Sequence, residues 1–252
     1  VAGPVLGREA GITNLGWTID AAEIERTFGI GRVTLINDFY GVALGVPMLG
    51  SEDLLSLQPG ARARGAPIAI LGAGTGLGAA HVVFHGDQWH VVPSEGGHAD
   101  FAPQDEEQTR IFLFLQQRHG HVSWERLVSG MGLTNIFEFL TGRAEEPAAI
   151  ASLASAGDPI ADRAFQIFAD IYGAEAGNMA LRVIARGGVF LAGGIAAKNR
   201  AYFTDGAFIA SFLRKGRFSE LLREVPVDLI VNEEVGLLGA VEAARRWNRP
   251  LA

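Results

Sequence analysis

Four groups of residues in this sequence have the types and the spacing to do chemistry. Asn37 and Asp38 stand at the end of the apolar run Arg32–Ile36. The stretch Gly72-Ala73-Gly74-Thr75-Gly76-Leu77-Gly78 is a glycine-rich turn. Glu95 and His98 flank a pair of glycines, and Glu125 sits in Ser123-Trp124-Glu125-Arg126. Carboxylates, Asn and His are the groups that hydrogen-bond the hydroxyls of a polyol. Successive glycine N–H groups can form a concavity for phosphate, with the Thr75 hydroxyl as a further donor. Each feature also has a bland counterpart. Asn37-Asp38 reads equally as a turn or helix cap, Glu125 as a carboxylate favouring a helix N-terminus, and the glycines as an ordinary β-turn. Their occurrence together is what points to a sugar and a phosphate.

The elements that must position these residues alternate between strand and helix, which argues an α/β fold. Ile68–Leu71 is a strand candidate, and Ala80–Phe84 with Gln88–Val92 reads as a hairpin turning at His85-Gly86-Asp87. Arg32–Ile36, Gly188–Leu191 and Val227–Val231 are further strand candidates, and the apolar Val1–Pro4 resembles the end of another. Asp20 is a plausible N-cap of a helix over Asp20–Phe28, with Glu23 three residues on and Gly29 after its end. Helical patterns also cover Tyr40–Leu44, Glu106–His119, Ser123–Leu127, Leu133–Leu140, Asp158–Ile184 and Leu237–Trp247. Gly50–Gly65, rich in Gly, Pro and Arg, reads as a surface connection near a domain boundary.

Two familiar readings of the glycine turn fail. It is no P-loop, because no Lys-Ser or Lys-Thr follows. Gly74, Gly76 and Ala79 fit a dinucleotide fingerprint, and Glu95 lies about 20 residues on, but that motif must open a helix. Here β-prone runs follow. Metal sites built on His98 with Asp100, or His119 with His121, lack a third ligand at a persuasive spacing.

Composition bounds the rest. The chain has 252 residues, 48% of them hydrophobic and 19% charged, with a formal charge of −7 and no basic block. Sequence-independent nucleic-acid binding, which rests on Lys and Arg contacts to phosphates, is not expected. There is no cysteine, so disulfides, zinc–thiolate sites and cysteine nucleophiles are excluded. No apolar run approaches the roughly 20 residues that span a bilayer, and no signal peptide is visible, so cytoplasmic is the default.

Five motifs in order carry a resemblance to a known family: Leu35-Ile36-Asn37-Asp38-Phe39, the turn Gly72–Gly78, Glu95-Gly96-Gly97-His98-Ala99-Asp100-Phe101, Glu125-Arg126-Leu127-Val128-Ser129-Gly130, and Leu191-Ala192-Gly193-Gly194-Ile195. Together they resemble the bacterial glucokinases of the actin-like sugar kinase superfamily, from the first residues to Gly236-Leu237-Leu238-Gly239. The resemblance implies a two-domain actin-like (ribonuclease H-like) fold with mixed sheets, closing on glucose. The small domain would comprise Val1–Met48 and the terminal segment from Asn232, the large one Leu49–Val231. Asp38 would be the base that takes the proton of the 6-hydroxyl. Asn37, Glu95, His98 and Glu125 would bind the other hydroxyls. Gly74, Thr75 and Gly76 would form a phosphate clasp for ATP, used with Mg2+, and Gly193 and Gly194 would lie in the adenosine motif. A homodimer is the family expectation.

The family also opens with an Asp-x-Gly-Gly-Thr turn, its first phosphate element, whose Asp assists magnesium. No such motif occurs in these 252 residues, so the small domain is expected to be N-terminally incomplete. The alternative that follows is a non-catalytic sugar-binding or regulatory remnant. The related repressor, open-reading-frame and kinase group carries a cysteine-rich zinc motif near the position of Glu125, which a cysteine-free chain cannot supply.

Overall fold

A computed structural model describes residues 1–3, 5–12 and 16–247. The chain divides into two compact units, Val1–Gly50 with Asn232–Ala252, and Ser51–Val231.

The first unit carries a three-stranded antiparallel sheet of β1 (Val5–Leu6), β2 (Glu9–Ile12) and β3 (Trp17–Asp20), in that order. Helix Ala21–Phe28 follows directly. Asp20 accepts the Ala22 N–H at 2.7 Å, and Gly29 ends the helix at φ 65°, a left-handed position that suits glycine. Helix Asp38–Gly45 packs on helix Val235–Trp247 through glycines. A Cβ on Gly239 would lie 1.8 Å from the Gly41 carbonyl oxygen, and one on Gly45 would lie 2.1 Å from that of Val235. Backbone therefore touches backbone, which only residues without side chains permit.

Arg32–Ile36 is not a strand. Among the described residues its ladder-type partner is Val1, whose terminal ammonium donates to the Ile36 carbonyl at 2.9 Å while the Asp38 N–H donates to the Val1 carbonyl at 2.9 Å. β propensity supplies an extended backbone, not the neighbour that makes a sheet. Val1–Gly3 likewise forms no strand, and Pro4 lies outside the described residues.

The second unit is built on six strands in the order β4-β9-β8-β5-β6-β7, where β4 is Leu54–Gln58, β5 Ile68–Ala73, β6 Leu77–His85, β7 Gln88–Ser94, β8 Gly188–Ala192 and β9 Val227–Ile230. β5, β8 and β9 run parallel, and the flanking strands are antiparallel. The three central strands are buried along their whole length, as expected where helices cover both faces of a sheet. Helix Pro159–Val183 contributes most to the core, burying Phe165, Phe168 and Tyr172 among others, with Asp158 capping its first turn. Helices Glu106–His119, Gly130–Thr141 and Pro147–Ser155 complete this packing.

In the second unit two further segments depart from their sequence reading. The connection Gly50–Gly65 contains β4, which pairs antiparallel with β9. The run LLSLQ hid this because it is not cleanly alternating: it is an edge strand with a register shift at Ser56–Gln58. Ser123–Leu127 is one 3-10 turn, Trp124–Arg126, and the Ser123 side chain does not cap it. Among the described residues no helix is long and apolar enough to cross a membrane.

One buried group gives a pH prediction. His81 on β6 is half-buried, and its Nε2 has no hydrogen-bond partner. Burial holds the imidazole below its ordinary value, and Arg182 adds to the effect. A depressed pKa means that the folded state resists protonation. The contribution is complete above the ordinary value near 6.5 and is lost as the pH falls through the lowered one. Between about pH 7 and pH 5, Tm is therefore expected to fall more for the wild type than for His81→Leu, by differential scanning calorimetry.

Candidate active site

The loop after β7 carries Glu95 and His98 and is seated by its glycines. Gly96–His98 is a single 3-10 turn, closed by the His98 N–H on the Glu95 carbonyl at 2.9 Å. Gly97 lies flat on β6: a Cβ there would be 2.3 Å from the Leu77 carbonyl oxygen. The Gly96 N–H donates to Ser94 Oγ at 2.9 Å. The loop then draws in the turn that bears Glu125. Trp124 N–H donates to the Ala99 carbonyl at 3.1 Å, and Asp100 forms a bridge with Ser123.

These seats bring three predicted residues together. His98 Nδ1 is 3.8 Å from Glu125 Oε1, and His98 Nε2 is 3.9 Å from Glu95 Oε2. Those distances are too long for hydrogen bonds, so the ring sits in the field of both carboxylates and keeps its hydrogen-bonding capacity. Glu95 and His98 are exposed, whereas the Glu125 side chain retains only 21% of its exposure. Glu125 is fixed by its other oxygen: Oε2 accepts the Leu77 N–H at 3.0 Å. One oxygen is thus structural and the other faces the cluster. The arrangement offers acceptors and one adaptable ring to a ligand rich in hydroxyls.

The glycine turn is a connection between β5 and β6, with Ala73 opposite Leu77. Neither Gly74 nor Gly76 is among the glycines of positive φ. Gly76 matters for a different reason: a Cβ there would lie 2.5 Å from Glu125 Oε2 and would displace that carboxylate. The Gly74 N–H is spent inside the turn on the Gly76 carbonyl at 2.9 Å, and the Gly74 carbonyl receives the Gly130 N–H at 2.8 Å. An anion at this turn would therefore be met by exposed Thr75 and by Gly76, not by Gly74 N–H.

Gly193 lies against the same turn. Its φ is 92°, and a Cβ would be 2.3 Å from the Ala73 carbonyl oxygen. Two glycine segments thus abut at the carboxyl ends of the parallel strands β5 and β8, where α/β sheets bind ligands. Exposed Gly194 opens the short helix Gly194–Lys198. Sequence reasoning passed over Lys198, whose Nζ comes to 3.9 Å from the position of a Gly194 Cβ. The signal was compositional, since the chain has only two lysines, Lys198 and Lys215.

In the first unit, Asn37 caps helix Asp38–Gly45. Its Oδ1 accepts the N–H groups of Phe39 at 2.9 Å and Tyr40 at 3.1 Å, and its Nδ2 donates to the Gly3 carbonyl at 3.2 Å. The cap reading of Asn37 is therefore a fact of the structure, and it leaves one amide N–H for a ligand. Asp38, the first helical residue, is exposed, and its Oδ1 accepts the Phe39 N–H at 2.9 Å.

A mixed sheet flanked by helices, with two glycine turns abutting at the ends of its parallel strands, matches the actin-like sugar kinase fold. A family model described as Glucokinase matches residues 1–247. The glucokinase of Nostoc sp. (strain PCC 7120 / SAG 25.82 / UTEX 2576) is 42% identical, over 98% of this chain and 80% of that protein. That of Escherichia coli O139:H28 (strain E24377A / ETEC) is 41% identical, over 95% and 77%. Among solved structures, glucokinase from an Antarctic psychrotroph superposes with a TM-score of 0.88 at 31% identity, over 98% of this chain and 79% of that one. The glucose complex of Balamuthia mandrillaris glucokinase gives a TM-score of 0.83 at 21% identity, over 97% and 76%, a likeness of fold. The chain belongs to the glucokinase family.

Proposed function

We propose that this chain transfers the γ-phosphoryl group of ATP to the 6-hydroxyl of glucose, giving glucose 6-phosphate and ADP. Glu125 carries the reading. One of its oxygens approaches His98 of the sugar loop, while the other bonds Leu77 and abuts Gly76 of the phosphate turn. A single carboxylate thereby couples the two substrates' subsites. In phosphoryl transfer the protein's contribution is mostly positioning and charge stabilisation, so a fixed coupling of this kind is the expected device.

In this reading Glu95, His98 and Glu125 hold the ring hydroxyls and Asn37 offers its remaining N–H. Asp38 takes the proton of the 6-hydroxyl as that oxygen forms its bond to the γ-phosphorus and the bond to the β–γ bridging oxygen breaks. ADP leaves with the electron pair of that bond. Gly74, Thr75 and Gly76 shape the phosphate clasp, while Gly193 and Gly194 lie along the adenosine. Magnesium enters as the ATP complex. A homodimer is the assembly carried by the same reading, and light scattering checks it.

Sugar binding is tested at Glu125. Glucose is expected to change the fluorescence of the wild type saturably, since buried Trp124 adjoins Glu125. Glu125→Ala is expected to raise the glucose Kd about tenfold or more, the loss typical of a charged hydrogen bond. An unchanged Kd would remove Glu125 from the site.

A further inference from the structure

Beneath the sugar loop lies a cluster of charges to which the proposed reaction gives no role. Glu175, on helix Pro159–Val183, is buried, with its side chain 2% exposed. Its Oε1 accepts from Arg182 Nη1 at 2.8 Å and its Oε2 from Asn178 Nδ2 at 2.9 Å. Arg182 lies two helical turns on, so it shares a face with Glu175. Lys215 also acts on this carboxylate, and its Cε packs at Gly177. His81 on β6 borders Arg182.

Removing a carboxylate from water is expensive, and a buried ion pair is weak evidence for stability. What this pair does is hold one guanidinium in place. Arg182 Nη1 comes to 3.8 Å from the position of a Cβ on Gly96, whose other neighbours are Ser94 Oγ at 3.0 Å and Ala79 Cβ at 3.4 Å. Met179 Sδ lies 3.0 Å from the same Nη1, and the Arg182 side chain keeps 42% of its exposure. Gly96 is the residue between Glu95 and the turn that ends at His98. The guanidinium therefore lies beside the loop at Gly96, close enough to meet a methyl group there, while the Glu95 and His98 side chains stand in solvent.

We propose that Arg182, held by Glu175 and Asn178, is a positioning residue that fixes the Glu95–His98 loop in its sugar-binding conformation. It touches no substrate and acts through the loop backbone. The inference rests on the assignment of Glu95 and His98 to the sugar.

The test separates support of the loop from support of the fold. Arg182→Met leaves Glu175 buried without its guanidinium partner, so it is expected to lower Tm as well as raise the glucose KM. The double variant Glu175→Gln/Arg182→Met removes both charges. It is expected to recover most of the Tm loss while the glucose KM stays about tenfold above wild type and the ATP KM stays within about twofold, because misplacement of a binding group acts on its own substrate. Recovery of the glucose KM together with Tm would overturn the proposal, as would an unchanged glucose KM in Arg182→Met. Failure of the sugar reading looks different: wild type and Glu125→Ala would then bind glucose alike, whatever Arg182 does.

Discussion

Asp38→Asn is expected to lower kcat by about a thousandfold while leaving the glucose Kd within a few-fold, the range for loss of a general base. Asn is nearly isosteric with Asp but cannot take a proton from a hydroxyl at neutral pH. The change should leave the structure intact. The helix is capped by Asn37, whose Oδ1 receives both the Phe39 and Tyr40 N–H groups independently of Asp38. Asp38 itself is exposed and contributes one bond, to the Phe39 N–H. A kcat reduced less than about tenfold, at unchanged Tm, would place the base elsewhere.

Gly239→Ala is expected to produce the largest loss of stability. Intrinsic propensity favours alanine over glycine in a helix by about 1 kcal/mol, so Val235–Trp247 considered alone would gain. Packing opposes this and wins. The new Cβ would lie 1.8 Å from the Gly41 carbonyl oxygen and 2.8 Å from the Gly45 N, both backbone atoms that cannot swing aside. Separating the two helices far enough is expected to cost about 3 kcal/mol, the upper part of the overpacking range, after the propensity gain. Asp38 begins the partner helix, so kcat should fall with stability. Hydrogen exchange across Asp38–Gly45 should accelerate, while the amides of β5 and β8 keep their protection. Unchanged exchange in Asp38–Gly45 would mean that the helices part without strain.

Much of the fold was legible because local chemistry and burial agreed. Asp20 and Gly29 bound the first helix, Asp158 caps the longest one, and the runs at Ile68 and Gly188 are buried strands. The hairpin of β6 and β7 turns between His85 and Gln88, where Gly86-Asp87 marks it. Failures occurred where a partner decides. Arg32–Ile36 has strand composition and, among the described residues, no strand beside it, whereas Leu54–Gln58 looks irregular and finds β9.

The site divides in the same way. Glu95 and His98 are close in sequence, so a glycine loop sufficed to group them. The approach of Glu125 depends on a hydrogen bond to Leu77 that no spacing rule contains. Gly76 was singled out for backbone freedom, yet its φ is not positive and what it adjoins is the Glu125 carboxylate. The use of Gly74 N–H within its own turn, and the approach of Arg182 to Gly96, are also matters of three-dimensional neighbourhood.

The central claim is that this chain phosphorylates glucose. The direct measurement is ADP formation by the 252-residue chain with ATP and magnesium, in the presence and absence of glucose, with the product followed by phosphorus NMR. ADP and glucose 6-phosphate are expected in equal amounts, with ADP formation dependent on glucose. Saturable glucose binding without ADP formation, or ADP formation at the same rate without the sugar, would contradict it.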